Sequence, residues 1–565
     1  MPPSFWMRQA AAACASGWLL GLAASCGWPA TAAAAAQADP VAEAIGAELD
    51  ALMSPDVTTV HGARIALGDR LREFYSRRAF AAAWTDAEPR RQLLRALADS
   101  YDDGLDPADY HLPLLQELEA QVAASRATAA LKARYDILLT EALLRLGYHL
   151  SFGKVDPESF DAQWNYGRVL PRTDVAQRVA DAIASTTVYE RLAALPPTHR
   201  MYTQLKQELA RHRALQKEGG WAALPAGPAL KPGASDARVP ALRTRMLRGG
   251  DLVDAAAGDP LLYDEPLVAA VKRYQERNGL EADGVVGAGT IAQLNVPVAE
   301  RITQLRVNLD RGRVLLHDLP DRFVVVNIAA FTLYLVEGTD VAWSTRVQVG
   351  KDYRRTPVFR SEIGYIVFNP TWTVPPGIIK GDILPAARKD PQAITRKGLR
   401  VLDGDGRELD PASVDWSRFS GGHIPYTLRQ DPGPKNALGR VKLMFPNPYL
   451  VYLHDTPSQS LFERADRAFS SGCVRVERAL ELAERVLGDA SSWNQSSIAQ
   501  VIASEQPRTV TLKTSVPVLL TYWTAWVDLQ GVTNFRRDLY DRDARWAAGL
   551  NAPFKVRARP LYSEP

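Results

Sequence analysis

Cysteine is scarce in this sequence. Only three of its 565 residues are cysteine, and Cys14 and Cys26 lie in the apolar N-terminal segment. An exported chain that loses this segment keeps Cys473 alone, so a disulfide within the mature chain is excluded by counting. A zinc site needs three or four nitrogen or sulfur ligands, and the surrounding domain adds only His423 and His454. No metal or cofactor is therefore predicted.

The sequence also lacks long apolar runs and a strong net charge. Beyond the N-terminus, no stretch is long and apolar enough to cross a bilayer, which takes about 20 residues. The formal net charge is only +3, and the charges are dispersed. A nucleic-acid partner is therefore not expected.

The first 38 residues have the layout of a secretory signal peptide. Arg8 precedes a short apolar stretch, and small residues with several possible A-x-A cleavage sites follow before Asp39. Glycines and Pro29 make this stretch short for a membrane span. We expect residues 1–38 to be removed and the mature protein to be exported. A retained N-terminal anchor is the alternative.

The spacing of apolar residues predicts a multidomain α+β chain. Apolar residues recur every three or four positions in the first half, and with a period of two in later runs such as RFVVVNI and FTLYLVEG. The predicted units, in chain order, are a helical scaffold (39–235), a small helical unit (236–298), a connecting helix (299–319), a β-rich domain (320–515) and a C-terminal extension (516–565).

The β-rich domain contains a long insertion at 372–447 that is rich in proline and glycine. Insertions of this length within a compact domain are usually functional. We therefore predict that this region is a lid or capping subdomain.

The surroundings of Cys473 suggest nucleophilic chemistry. In a strand over 449–454, Tyr452 and His454 point to the same face. Cys473 follows Ser470–Gly472 and precedes a helix predicted to start near Val476. A thiol at a helix N-terminus has a lowered pKa, and the N–H groups of Gly472 and Cys473 could bind an oxyanion. Ser470 is expected to support the turn by hydrogen bonds.

The spacing alone leaves alternatives open. A lone cysteine is often an inert buried residue, and a lone histidine is often a structural one. A neighbouring histidine that takes the thiol proton would instead make Cys473 and His454 a nucleophile and its base.

Residues 236–298 resemble the small three-helix peptidoglycan-binding domain. The similarity rests on a Tyr-Gln pair, N-G-L, D-G-x-x-G and T-x-x-x-L-N, which stand here at Tyr274, Gln275, Asn278–Leu280, Asp283–Gly287 and Thr290–Asn295. The resemblance implies that this unit contacts the glycan.

The second half resembles the L,D-transpeptidases, which cross-link peptidoglycan through a cysteine. Their signature is a histidine followed, fifteen to twenty residues later, by S-x-G-C-[I/V]-R; it stands here as His454 and Ser470–Arg475. RRTPVF (354–359), FNPTWTVP (368–375) and VPVLLTYWTAW (516–526) are similar to the large multidomain YcbB-type branch. The resemblance implies a periplasmic enzyme that forms 3→3 cross-links and is a carbapenem target.

The resemblance also assigns roles. Cys473 corresponds to the acylated nucleophile, His454 to its base, Gly472 to part of the oxyanion hole, and Tyr452 to a positioning group beside the histidine. Four further residues are candidate substrate-binding groups: Trp372, Arg475, Ser471 and Asp455. Asp455 could instead orient His454 as a third triad member, or form a salt bridge with Arg475. Trp372 could instead be a core residue.

The implied partners are peptidoglycan stem peptides, with a tetrapeptide donor and a diaminopimelate acceptor, together with cell-wall synthases. Two other functions stay open. One is an L,D-carboxypeptidase or endopeptidase that uses the same Cys–His site. The other is a wall-binding scaffold with a silent catalytic domain.

Overall fold

The computed structural model describes residues 39–54, 57–124, 126–159, 161, 164–166, 174–254, 258–421 and 423–555. The predicted signal peptide therefore lies outside the described residues, as do Gly422 and residues 556–565. No helix in the described ranges is both long and apolar enough to span a membrane.

The N-terminal region is helical, as predicted. Its elements are α1 (Pro40–Ala51), β1 (Thr59–Val60), β2 (Ala63–Arg64), α2 (Gly68–Ser76), α3 (Ala87–Asp99), α4 (Leu112–Ala123), α5 (Ala129–Phe152), α6 (Val175–Ala184), α7 (Val188–Ala193) and α8 (Arg200–Lys217). Helices α1 to α7 enclose an aliphatic and aromatic core around the largely buried α5.

Three short helices form the next unit: α9 (Val239–Gly249), α10 (Glu265–Arg277) and α11 (Ala288–Leu294). The Asp264 carboxylate accepts the Leu267 N–H at the start of α10, and Pro266 occupies the first turn, where its missing N–H costs nothing. The core of this unit also includes Leu224 and Leu230, which were predicted to belong to the helical scaffold. The packing of this unit therefore includes residues upstream of its predicted start at residue 236.

Helix α12 (Val298–Leu315) connects the helical half to the β-rich half and packs against α5 and α8. Asp310 on α12 is fully buried and pairs with Arg313 at 2.9 Å. Its carboxylate also accepts the Lys154 N–H (2.8 Å) and the Trp546 Nε1–H (2.9 Å). Asp310 therefore links α12 to the segment after α5 and to α18. Removing one partner of such a buried ion pair costs about 3–5 kcal/mol.

The β-rich domain is built on a nine-stranded sheet in the order β13-β5-β14-β12-β11-β6-β15-β3-β4, and β4 also pairs with β5. The strands are β3 (Arg322–Asn327), β4 (Thr332–Glu337), β5 (Asp340–Gly350), β6 (Phe359–Phe368), β11 (Val441–Met444), β12 (Leu453–His454), β13 (Ala468–Ser470), β14 (Val474–Val476) and β15 (Arg508–Thr521). Helices α16 (Ala479–Leu487) and α17 (Gln495–Ala503) follow β14. Strands β4 and β5 form a hairpin, with Glu337 paired to Asp340.

The insertion folds as a separate layer with its own small core. It comprises β7 (Trp372–Thr373), α13 (Pro376–Ile378), a π-helical turn (Ile379–Ile383), α14 (Leu384–Lys389), α15 (Ala393–Arg396), β8 (Arg400–Leu402), β9 (Glu408–Leu409) and β10 (Thr427–Gln430). We call this subdomain the lid. The predicted range of 372–447 runs too far, because β11 pairs with β6 and β12 in the main sheet.

The chain beyond 515 is part of the β-rich domain. Strand β15 crosses the position where the extension was predicted to start, and it pairs with β6 and β3. The last elements are β16 (Ala525–Val527), β17 (Thr533–Phe535) and α18 (Arg542–Asn551). Tyr540 and Trp546 are buried in the same core as the sheet, together with Trp164 and Tyr166 from the N-terminal half.

Candidate active site

Strands β12 and β14 lie side by side and parallel, with His454 opposite Arg475. Side chains two residues apart share a face of a strand, so this pairing brings four polar groups to one face. They are Tyr452, His454, Cys473 and Arg475. Leu453 and Val474 point the other way and are fully buried. As predicted, Tyr452 and His454 share a face, and their ring centroids are 5.6 Å apart.

A backbone carbonyl orients the His454 ring. Its Nδ1 atom is 2.5 Å from the carbonyl oxygen of Asp455. Burial, together with the nearby Arg475 guanidinium, lowers the pKa of His454 to about 3. The imidazole is therefore neutral near pH 7 and able to accept a proton.

The Cys473 thiol is half-buried and lies against Tyr452 and the Leu450 carbonyl, whose oxygen is 3.7 Å from Sγ. Burial raises the pKa of this thiol, partly offset by the Tyr452 N–H and by Arg475. The expectation of a lowered pKa at a helix N-terminus is wrong. Residues 474–476 form β14, because the V-R-V alternation pairs with β12 and β5, and the helix starts only at Ala479.

The turn before the cysteine is held by hydrogen bonds. Ser470 Oγ accepts the Gly472 N–H (3.1 Å) and donates to the Cys473 carbonyl (2.5 Å), as expected for a supporting serine. The predicted oxyanion role of the Gly472 N–H is therefore corrected, since this donor is already occupied. Gly472 has φ +118°, which favours glycine. Its contribution to the turn is this backbone shape.

Arg475 is a half-buried cation with an incomplete set of partners among the described residues. Its Nη1 contacts the Gln348 side-chain oxygen at 3.2 Å, and its Nε has no partner among the described residues. Burial lowers the pKa of the guanidinium, and Cys473 opposes that shift. The predicted alternative of a salt bridge to Asp455 is not formed in the described structure. Arg475 is thus free to pair with an anion on the Cys473 face.

The Asp455 side chain points away from the catalytic face. Its Oδ2 accepts the Arg440 N–H at 2.9 Å, and its Oδ1 lies 3.1 Å from Gln459 Nε2. It also lines a cleft between α16, α17 and the loop around Gly439, and neither Cys473 nor His454 lines that cleft. The side chain is therefore not a third triad member, and the structure gives it no place in the Cys473 site.

The lid touches the catalytic turn through Arg354. Its guanidinium donates to Ser471 Oγ at 2.9 Å and pairs with Asp382 of the lid at 2.5 Å. Trp372 is half-buried; it pairs with Gln430 in the lid sheet and packs on the lid core. Of the predicted substrate-binding residues, Ser471 therefore adjoins the nucleophile, whereas Trp372 belongs to the lid.

Two supporting residues were missed from the sequence. The Thr356 hydroxyl donates to the Gly472 carbonyl at 2.8 Å, and the Tyr540 hydroxyl accepts the Thr356 N–H at 3.1 Å. Thr356 lies within the RRTPVF motif, which could have drawn attention to it. Tyr540 had no such motif.

Three parts of the chain match known protein families. Residues 321–518 match the YkuD family, described as an L,D-transpeptidase catalytic domain. Residues 242–294 match a peptidoglycan binding domain, and residues 69–209 match a scaffold domain.

Among known proteins, a Haemophilus influenzae protein named as an L,D-transpeptidase is 39% identical over 245 residues, which is 43% of this chain and 48% of the relative. The chain thus spans about half the length of the curated relative that it matches.

Two solved L,D-transpeptidase structures are also similar. That from Xylanimonas cellulosilytica is 17% identical and aligns over 53% of this chain and 99% of its own (TM-score 0.18). That from Mycobacterium smegmatis is 13% identical over 36% and 58% (TM-score 0.17).

The match over 321–518 contains the sheet, the lid and the face that bears Cys473 and His454. The 242–294 match coincides with the three-helix unit. Residues 321–518 are thus similar to the L,D-transpeptidase catalytic domain of the YkuD family, and earlier parts of the chain match a peptidoglycan binding domain and a scaffold domain.

Proposed function

We propose that this protein is an L,D-transpeptidase that forms 3→3 cross-links in peptidoglycan through a thioester on Cys473. The observation that carries the proposal is the shared face of β12 and β14, where a thiol, a neutral imidazole and a guanidinium with no acidic partner among the described residues lie together. This set of groups suits acyl transfer from a substrate that carries a carboxylate.

In the first half-reaction, the Cys473 sulfur attacks the carbonyl that joins meso-diaminopimelate to D-Ala in a tetrapeptide donor stem. The S–C bond forms, and the thiol proton passes to His454. The C–N bond to D-Ala then breaks, and the proton leaves on the D-Ala amine. In the second half-reaction, the amine of a second diaminopimelate attacks the thioester, so a C–N bond forms, the C–S bond breaks and the thiol regains its proton.

The proposed roles of the other groups follow from their positions. Arg475 holds a donor carboxylate, Tyr452 positions the thiol that it contacts, and the Cys473 N–H binds the oxyanion. The lid, tied to the catalytic turn by Arg354, keeps water from the thioester so that an amine is the acceptor. Trp372 lines the donor groove from the lid side.

Location and partners complete the proposal. The signal peptide directs the protein to the periplasm, where the three-helix unit contacts glycan and cell-wall synthases act alongside it. Hydrolysis by the same Cys–His site is a second candidate, because a carboxypeptidase shares the first half-reaction. Contact between the lid and the turn favours the transferase.

The test is incubation of the full-length protein with tetrapeptide muropeptides, with Cys473→Ala as the matched control and mass spectrometry of the products. We expect cysteine-dependent dimers that have lost one D-Ala, and a carbapenem adduct on Cys473 that the alanine variant lacks. Cysteine-dependent tripeptide monomers alone would indicate a carboxypeptidase. Dimers from the Cys473→Ala protein would overturn the mechanism.

A further inference from the structure

Thr356 lies beside the candidate active site, and its side chain is fully buried. Its Oγ1 atom donates to the Gly472 carbonyl at 2.8 Å and accepts the Gly350 N–H at 2.8 Å. The hydroxyl therefore both donates and accepts a hydrogen bond, and it cannot rotate away from Gly472 without losing a buried one.

The bond to Gly472 controls the direction of the neighbouring N–H. The Gly472 carbonyl and the Cys473 N–H belong to one planar trans peptide group, in which they point in opposite directions. Holding the carbonyl toward Thr356 therefore aims the Cys473 N–H away from Thr356. Gly472 has a positive φ and no side chain, so steric contacts of a Cβ atom do not restrain the orientation of this peptide group.

The Gly472 N–H and the Cys473 carbonyl already have partners. Ser470 Oγ accepts the Gly472 N–H and donates to the Cys473 carbonyl. Within the described ranges, the Cys473 N–H forms no hydrogen bond, and neither does the Ser471 N–H, which lies two residues before the nucleophile. A directed, unpaired N–H next to a nucleophile is what an oxyanion-binding donor requires.

The C-terminal part of the chain locks Thr356 in place. The Tyr540 hydroxyl accepts the Thr356 N–H at 3.1 Å and donates to the Gly350 carbonyl at 2.6 Å. Tyr540 itself is stacked on Tyr522, with ring centroids 5.6 Å apart, and its N–H donates to the Tyr522 hydroxyl. Thr356 is thus held through both its main chain and its side chain.

We propose that Thr356 is a positioning residue for oxyanion stabilisation: it fixes the Gly472–Cys473 peptide group so that the Cys473 N–H faces the oxygen of an attacked carbonyl. This inference rests on the proposed function for its natural substrate. As the S–C bond forms, the carbonyl π electrons move onto the oxygen, and the N–H donates to it. The pair returns to the carbonyl when the bond to the leaving group breaks.

The test compares two reactions of the same thiol. Acylation of Cys473 by p-nitrophenyl acetate passes through an oxyanion and releases p-nitrophenolate. Alkylation by iodoacetamide displaces iodide at a saturated carbon and forms no oxyanion. Both rates are measured on the full-length protein by mass spectrometry, with Cys473→Ala as the background. The variants are Thr356→Val, Thr356→Ser and Tyr540→Phe.

The matched control is Thr521→Val. Thr521 is also a buried threonine whose hydroxyl donates to a backbone carbonyl, that of Val326 at 3.0 Å, but it does not contact the catalytic turn. The Thr521→Val substitution removes a comparable hydrogen bond from the same domain. Circular dichroism melts of all four variants establish that the measured protein is folded.

We expect Thr356→Val to slow acylation about 10- to 100-fold, because it misdirects rather than removes an oxyanion donor, whose complete loss costs about 10²–10³. Alkylation should change less than about twofold. Thr356→Ser should restore acylation, Tyr540→Phe should show a smaller selective loss, and Thr521→Val should change neither rate.

Equal effects of Thr356→Val on acylation and alkylation would overturn the inference. If this variant fails to fold, the Tyr540→Phe ratio decides in the same way. The ester is not a peptidoglycan substrate, so the test stands even if muropeptides are not cross-linked. A wild-type protein that reacts with the ester but not with tetrapeptide stems would refute the proposed function and leave the role of Thr356 intact.

Discussion

His454 Nδ1 lies 2.5 Å from the carbonyl oxygen of Asp455, the next residue in the chain. The group that orients the imidazole is thus part of the backbone, while the Asp455 carboxylate is turned toward Arg440 and Gln459. No substitution of a side chain can remove that carbonyl. The orientation of the imidazole is therefore insensitive to loss of an acidic side chain, a change that inactivates a Ser-His-Asp enzyme.

The first prediction concerns Asp455→Asn. In a serine protease triad, the same change to the orienting aspartate lowers kcat about 10⁴-fold. Here we expect a loss below about tenfold, because the carbonyl remains in place. His454→Gln should cost at least about 100-fold through loss of the general base. Cross-link formation by both variants, quantified beside the wild type, tests the contrast; equal losses would show that the carboxylate matters.

The second prediction concerns pH. The pKa of His454 is lowered to about 3 and that of Cys473 is raised, both chiefly by burial. From about pH 4 up to the alkaline pH at which the thiol ionises, the pair is therefore an uncharged thiol and an uncharged imidazole. The rate of iodoacetamide alkylation should keep rising beyond about pH 8.5, the ordinary pKa of a thiol. A plateau already reached near pH 6 would indicate a thiolate–imidazolium pair instead.

The third prediction concerns Arg475. Hydrogen bonds to charged groups contribute about 1.5–3 kcal/mol, so Arg475→Gln should raise the KM for the donor stem roughly 10- to 100-fold. The control is a donor whose diaminopimelate carboxylate is amidated. Wild type and variant should differ little on that donor. If the variant loses equally on both donors, Arg475 supports the site in another way, for example through Gln348.

The fourth prediction concerns the contact between lid and turn. Arg354→Gln removes the guanidinium that joins Ser471 to Asp382. We expect the ratio of tripeptide monomers to cross-linked dimers to rise severalfold, because water reaches the thioester more readily. Arg400→Gln is the matched control, since Arg400 also pairs with an acid, Asp431, but wholly within the lid region. An unchanged ratio in Arg354→Gln would mean that this contact does not shield the thioester.

The sequence was informative where a short-range periodicity decides the geometry. The shared face of Tyr452 and His454 follows from the two-residue repeat of a strand, and the supporting role of Ser470 follows from its short polar side chain next to the turn. The change of period near residue 320 likewise separates the helical half from the sheet. These features depend on neighbours in the chain.

The predictions from sequence were wrong where residues distant in the chain determine the local structure. Val474 to Val476 became a strand because β12 and β5 flank them, and residues 441–444 joined the main sheet for a similar reason. The Gly472 N–H is occupied by Ser470, which spacing could not reveal. Tyr540 supports Thr356 from 184 residues away. No periodicity in the sequence points to such a contact.

Hydrogen bonds from segments before and after the β-rich domain determine the shortest fragment that can keep an intact site. Tyr166 donates to the carbonyls of Phe359 and Leu520, and Trp546 donates to buried Asp310. A fragment cut at 321 and 518 would lose these groups and Tyr540, and would expose the apolar surface beneath them. Enzymology on such a fragment would describe a loosened site. Expression should therefore start no later than α5, which precedes Lys154 and Tyr166, and should continue through α18.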